Sequence, residues 1–455
     1  MTGNVRFAEG GVKEMIYIAF PMLVSNACET VMVFTDRVFL SRLGSVQMSA
    51  AMSGGMSSFM LTVFFMGLIG YSTAMIAQFY GAGKKEMCGV SAFQGVIISV
   101  LAYPLILLSR PLIHYMFTKT GMDEAQLYYQ RQYFDILIYG SVFFLIRHSL
   151  SCFFSGIGKT GVVMFASIFA MLVNVGASWL LIFGHFGLPE MGMRGAAVGT
   201  ITGSVSGIAV LVFAYLRKDN VDQYGIRGSF RFDRALSLKL LKFGTPAGVE
   251  FLLGFTAFTF IVLIFHAQGL TTATAATIMF NWDHVAFVPL IGVEIGVTSL
   301  VGRYIGAGRY DIVHKTVISG LKLGVVYSVI VALLFIFLPY QLTDFFRPET
   351  ADPAFEEAVP LTVYMLRLAS VYVLVTAQMV VFMGALRGAG DTFWAMVISV
   401  GINWSITAAT YVIMNVLDFS AKAGWTSVVL LFLLFPALLY ARYKSGGWRN
   451  IQPAA

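Results

Sequence analysis

The chain has 455 residues, 58% of them hydrophobic and only 12% charged. Soluble globular domains carry about 25% charged residues, and half that share excludes a soluble enzyme or a nucleic-acid-binding module. The formal charge of +7 comes from basic residues gathered between apolar runs, the pattern that orients membrane helices. The expected fold class is all-α, a polytopic membrane protein.

A membrane-spanning helix needs about 20 predominantly apolar residues. Runs of that length occur at 15–40, 50–79, 88–109, 131–154, 162–184 and 195–216. They resume at 242–266, 276–301, 314–338, 361–385, 393–415 and 424–441. The first is too long for a signal-peptide core and no small-residue cleavage site follows it, so it is expected to be retained. The stretch RKDNVDQYGIRGSFRFDRALSLKLLK is the only long polar one and divides six spans from six. The expected organisation is an N-terminal lobe at 1–216, a cytoplasmic connector at 217–241 and a C-terminal lobe at 242–455. Roughly two thirds of the 30 basic residues, from Arg6 to Arg449 and including Arg387, fall on the side of the N-terminus, with the acidic segment RPETADPAFEEAVP opposite. That bias predicts both termini in the cytoplasm, in a plasma (inner) membrane.

The first span carries Glu29 and Asp36. An acidic side chain at membrane depth costs roughly 2.5–3.5 kcal/mol on insertion scales, so it is expected to face a cavity and to serve function. Seven residues at about 100° each return to within roughly 20° of the same face, which predicts that the two acids look inward together. Arg37 points elsewhere, and Arg147 in the fourth span is the expected partner of Asp36. Cys28, Cys88 and Cys152 are too far apart in sequence for a metal clip or redox motif and read as small packing residues.

The two halves repeat. Pro21 and Pro246 are 225 residues apart, and the same offset superposes IAQFYGAGKKE (76–86) on VGRYIGAGRYD (301–311). SGIGKT (155–160) pairs with RGAGDT (387–392) at an offset of 232. Each half has an even number of spans, so the repeats run parallel, an arrangement that places substrate sites where the halves meet. The GAG turns read as helix ends at which glycine takes positive φ, with no chemistry assigned.

The C-terminal half has its own acidic set, Glu250, Asp283 and Glu294. Asp283 and Glu294 are eleven residues apart, about three helical turns, and are expected on one face as a second cation site or a counter-charge for basic compounds. His266 and His284 lie nearby, but no HExxH or tight ligand triplet supports a metal, and no cofactor is expected. Tyr139, Arg147, Tyr364, Tyr372, Gln378 and Met383 are expected to line a central cavity, where flat aromatics and flexible methionine suit promiscuous recognition.

Together, the two six-helix halves, the proline-containing first helix with Asp36 in its outer part, the basic GAG turn and the SGIGKT/RGAGDT pair resemble the multidrug and toxic compound extrusion (MATE) family along nearly the whole chain. The resemblance implies two parallel six-helix lobes around a central cavity. It implies export of amphipathic, often cationic compounds by antiport with H⁺ or Na⁺, the lobes rocking about a central site. It also carries cation coupling onto Asp36, with Glu29 one heptad before it and Asn174 lining the same pocket. Ser178 stands where many relatives hold a second polar or acidic group, which removes a charge and favours protons over sodium. Gly254 and Thr376 replace acids typical of a sodium-driven branch. The expected partners are small-molecule drugs or toxic organic cations and the bilayer, with a monomer assumed and no nucleic acid. A flippase for lipid-linked precursors is the alternative transport reading, and it would favour a strongly cationic cavity. An intramembrane enzyme finds no nucleophile–base spacing to support it.

Overall fold

The computed structural model describes residues 7–119, 123–348 and 353–451. Arg6 and positions 349–352 of the acidic segment lie outside them. Among the described residues twelve helices are long and apolar enough to span a membrane. In the first half they are α1 (Val12–Ser41), α2 (Val46–Gly81), α3 (Lys85–Leu108), α4 (Glu124–Gly156), α5 (Thr160–Phe183) and α6 (Met193–Tyr215). The second half supplies α7 (Arg234–His266), α8 (Leu270–Gly306), α9 (Tyr310–Phe337), α10 (Pro353–Ala389), α11 (Thr392–Val416) and α12 (Ala421–Lys444). All twelve expected spans are present, most of them longer than the apolar runs that predicted them. Helices of this kind satisfy their backbone groups internally, as hydrocarbon requires.

The chain forms two compact units. One takes the described residues up to Leu23 with Glu250–Val301 and the chain from Arg309 onward; the other takes Val24–Val249 with Gly302–Gly308. Both α1 and α7 are shared between the units, and each changes unit just beyond its proline, Pro21 or Pro246. Proline removes one backbone hydrogen bond and crowds the preceding turn, which is where a long helix most readily bends toward new neighbours.

Within the second unit the two GAG motifs meet. A Cβ on Gly81 would overlap the carbonyl of Arg303, and one on Gly306 would overlap the carbonyl of Gln78. Residues 78 and 303, like 81 and 306, are related by the 225-residue offset, so the contact is reciprocal. The later glycines, Gly83 and Gly308, take φ of +74° and +69° and close their helices. The motif therefore does two jobs: its first glycine allows backbones to touch and its second turns the chain.

The polar connector is built into the second unit. It forms a short helix, Lys218–Tyr224, and buried Gln94 on α3 holds the segment after it. Gln94 Nε2 donates to the Arg231 carbonyl at 2.9 Å, and Gln94 Oε1 accepts from Ser237 Oγ at 2.9 Å. Lys159 donates to Asn220 Oδ1 at 2.6 Å and sits over the Tyr224 ring. Burial is the main reason its ammonium titrates below the ordinary lysine range.

Candidate functional site

Glycine spacing on α6 decides where the site forms. Gly195, Gly199, Gly203 and Gly207 recur every four residues and make one stripe along the helix. A Cβ on Gly203 would come within 2.8 Å of Asn174 Cβ, and one on Gly199 would overlap Ser178. Small residues in this pattern let membrane helices approach closely, and here α5 lies against the stripe with Asn174 and Ser178 one turn apart. Thr200, beside the stripe, then reaches α1.

Asp36 sits at that junction, 5% exposed. Its Oδ2 accepts from Thr200 Oγ1 at 2.8 Å and from Asn174 Nδ2 at 3.5 Å. Asn174 Nδ2 also reaches Ser178 Oγ at 3.5 Å, and Ser178 stands beside the carboxylate. Among the described residues, Asp36 Oδ1 and Asn174 Oδ1 are both buried without a hydrogen-bond partner. A buried carboxylate oxygen without a donor is costly unless it gains a proton or a cation. The structure thus brings Asp36, Asn174 and Ser178 together and adds Thr200, which sequence reasoning missed.

Glu29 and Arg147 depart from expectation. Arg147 Nη2 donates to Glu29 Oε1 at 2.8 Å, so its ion pair among the described residues is with Glu29 rather than Asp36. The arginine side chain is 8% exposed and the glutamate 42%. Seven residues of helix separate the two acids by about 10 Å, so sharing a face does not make them neighbours. Glu29 serves as counter-charge to a buried guanidinium.

The C-terminal acidic set divides in two. Arg387, near the end of α10, binds Glu250 Oε2 at 2.9 Å and also binds Glu294. None of the three side chains is more than 14% exposed, and the guanidinium lies over the Phe251 ring. Arg387 is therefore an interior residue and does not belong in a count of orienting charges. Asp283, eleven residues before Glu294, instead accepts from the Tyr372 hydroxyl. Tyr372 also packs on Trp425 and Phe432.

The residues expected at a central cavity have distinct surroundings. Tyr139 is about half exposed beside Arg110 and Tyr103. Tyr364 bonds Thr426 at 2.8 Å, Met383 is buried, and Gln378 lines a groove with Leu321 and Val325. Residues 372 and 383 are eleven apart and lie within about 20° of one helix face, whereas 378 is turned about 120–140° away from both.

Comparison with known proteins follows the same architecture. The MatE family model matches twice, over residues 21–180 and 246–415, the two matches beginning at the repeat-related prolines. The chain belongs to the MatE family. It is 27% identical over 450 residues to the probable multidrug resistance protein NorM of Thermotoga maritima, covering 96% of this chain and 93% of the relative. It is 26% identical to the multidrug resistance protein PmpM of Pseudomonas aeruginosa, covering 87% and 82%. The fold is that of the eukaryotic MATE transporter AtDTX14, with a TM-score of 0.84 at 19% identity over 96% of each chain. A MATE family transporter described as outward-facing gives a TM-score of 0.86 at 17% identity over 97% of each.

Proposed function

We propose that this MatE-family protein is a multidrug exporter that releases amphipathic, often cationic compounds in exchange for protons taken up at Asp36. It is placed in the plasma (inner) membrane with both termini in the cytoplasm, the orientation that the basic bias still supports with Arg387 set aside. The observation that carries the coupling step is the half-satisfied Asp36 carboxylate: one oxygen held by Thr200 and Asn174, the other buried and bare.

The neighbours of Asp36 suit a group that changes charge. Thr200 has one hydroxyl proton and two acceptors within reach, Asp36 Oδ2 at 2.8 Å and the Ala196 carbonyl at 3.1 Å. With Asp36 ionised, the hydroxyl donates to the carboxylate. With Asp36 protonated, the acid donates to Thr200 Oγ1 and the hydroxyl turns to Ala196. The Oδ2–Thr200 contact is kept in both charge states with only a proton rotating, and protonation relieves the charge that bare Oδ1 leaves unsolvated. A sodium shell would draw on one formal charge and the oxygens of Asn174, Ser178 and Thr200, and Ser178 supplies no second carboxylate.

The driving force is sufficient. One charge crossing 100 mV gives roughly 2.3 kcal/mol and one pH unit about 1.4 kcal/mol. Their sum supports a gradient of several hundred-fold per proton. The test is uptake of a fluorescent organic cation by proteoliposomes, driven first by a pH gradient and then by a sodium gradient at equal pH. Uptake under the pH gradient supports proton exchange. Uptake under sodium alone, or under neither, overturns it.

A further inference from the structure

An open groove runs between α9, α10 and α12 in the unit that contains Arg387. It comprises two adjoining cavities of about 550 and 310 Å³ that share Leu321, Phe382 and Tyr440. The wider part is apolar apart from Gln378 and the Tyr440 hydroxyl, and Val325 and Tyr440 on its walls are 36% and 47% exposed. On spanning helices such a face lies at the depth of acyl chains.

The narrower part is different. It opens where α9 begins and α12 ends, and its walls include His314, Lys444 and Arg449. Among the described residues no carboxylate lines either cavity. The mouth is also stiffened: His314 is bonded to the Tyr443 hydroxyl at 2.7 Å and to Arg449 at 2.9 Å. Trp448 stacks on Tyr443 with an interplanar angle of 8°, and Arg449 lies over Trp448. Two cations with no acid lining their cavity, fixed at the end of an apolar slot, match one chemistry in charge and in shape.

We propose that this groove binds an anionic phospholipid, its phosphate between Lys444 and Arg449 and an acyl chain along Leu321, Val325 and Ala437. Basic pockets between spanning helices near the membrane surface are suited to anionic headgroups, and Arg matches phosphate oxygens bidentately. A neutral lipid leaves the two cations unused, and a free phosphate leaves the apolar slot unused.

The test uses the purified full chain in detergent and follows the thermal unfolding midpoint as short-chain phosphatidylglycerol is added. Phosphatidylcholine of the same chain length and glycerol phosphate serve as comparisons. Binding to the folded state alone raises the midpoint saturably. The expected result is a rise with phosphatidylglycerol only, with apparent affinity at least tenfold weaker in the K444Q/R449Q double variant. Leu321→Trp, which fills the slot and leaves both cations, abolishes the rise and gives a second reading should the double variant fold poorly. An equal rise with phosphatidylcholine, an equal rise with glycerol phosphate, or an unchanged response in either variant overturns the proposal. Transport is not the readout, so failure here leaves the proton-exchange reading standing.

Discussion

Gly81 on α2 and Gly306 on α8 stand against each other's helices, each with room for a hydrogen and none for a methyl. The obstacle in both cases is a main-chain carbonyl, which cannot rotate aside as a side chain can. Gly81→Ala or Gly306→Ala is expected to lower stability by about 3 kcal/mol or more. Gly161, in the first turn of α5, has nothing within 4 Å of where a methyl carbon would sit, so Gly161→Ala should be neutral or stabilising by about 0.5–1 kcal/mol. Thermal unfolding of the three purified variants checks the order.

The Glu29–Arg147 pair should respond asymmetrically. Removing the half-exposed carboxylate strands a buried guanidinium, whereas removing the arginine leaves an acid with access to its surroundings. Glu29→Ala is expected to cost about 1–3 kcal/mol and Arg147→Met less. Equal losses in unfolding measurements would show that the pair is not the reason Glu29 is there.

At the other end of the chain, Arg387 holds two carboxylates. Arg387→Gln is expected to cost about 3–5 kcal/mol, because Glu250 and Glu294 are left buried beside each other without a counter-charge. Adding Glu250→Gln and Glu294→Gln should restore most of that loss, since a neutral cluster needs no cation. The unfolding midpoints of the single and triple variants give the comparison.

Thr200 is expected to matter through Asp36. Thr200→Val keeps the shape and removes the hydroxyl, and a hydrogen bond to a charged group is worth about 1.5–3 kcal/mol. Exchange should slow by about tenfold or more with the protein still folded. Thr200→Ser, which retains the hydroxyl, should restore it. Proteoliposome rates for the two variants test this.

The fold was legible because hydropathy in a membrane chain reports span length almost directly, and because a 225-residue offset shows as repeated prolines and glycines. Asp36, Asn174 and Ser178 were legible as polar groups in apolar helices with a family position. Thr200 was not, since a threonine in a spanning helix ordinarily bonds its own carbonyl four residues back; the signal that could have found it was the stripe from Gly195 to Gly207 beside it. Arg387 was misplaced because a basic residue just after an apolar run looks like a loop charge, and only tertiary contact with Glu250 and Glu294 reveals it as interior. Arg147 pairs with Glu29 rather than Asp36 for a simpler reason: helical spacing fixes direction around an axis, while partners are chosen by which neighbouring helix lies at that height.

Whether Asp36 carries the coupling proton is decided by pH-gradient-driven uptake of a fluorescent organic cation by proteoliposomes containing Asp36→Asn. The amide keeps the size and the contact with Thr200 but cannot release a proton. The expected result is a folded, monodisperse protein with gradient-driven uptake reduced to the level of empty vesicles. Uptake at the unsubstituted rate by that variant would contradict it.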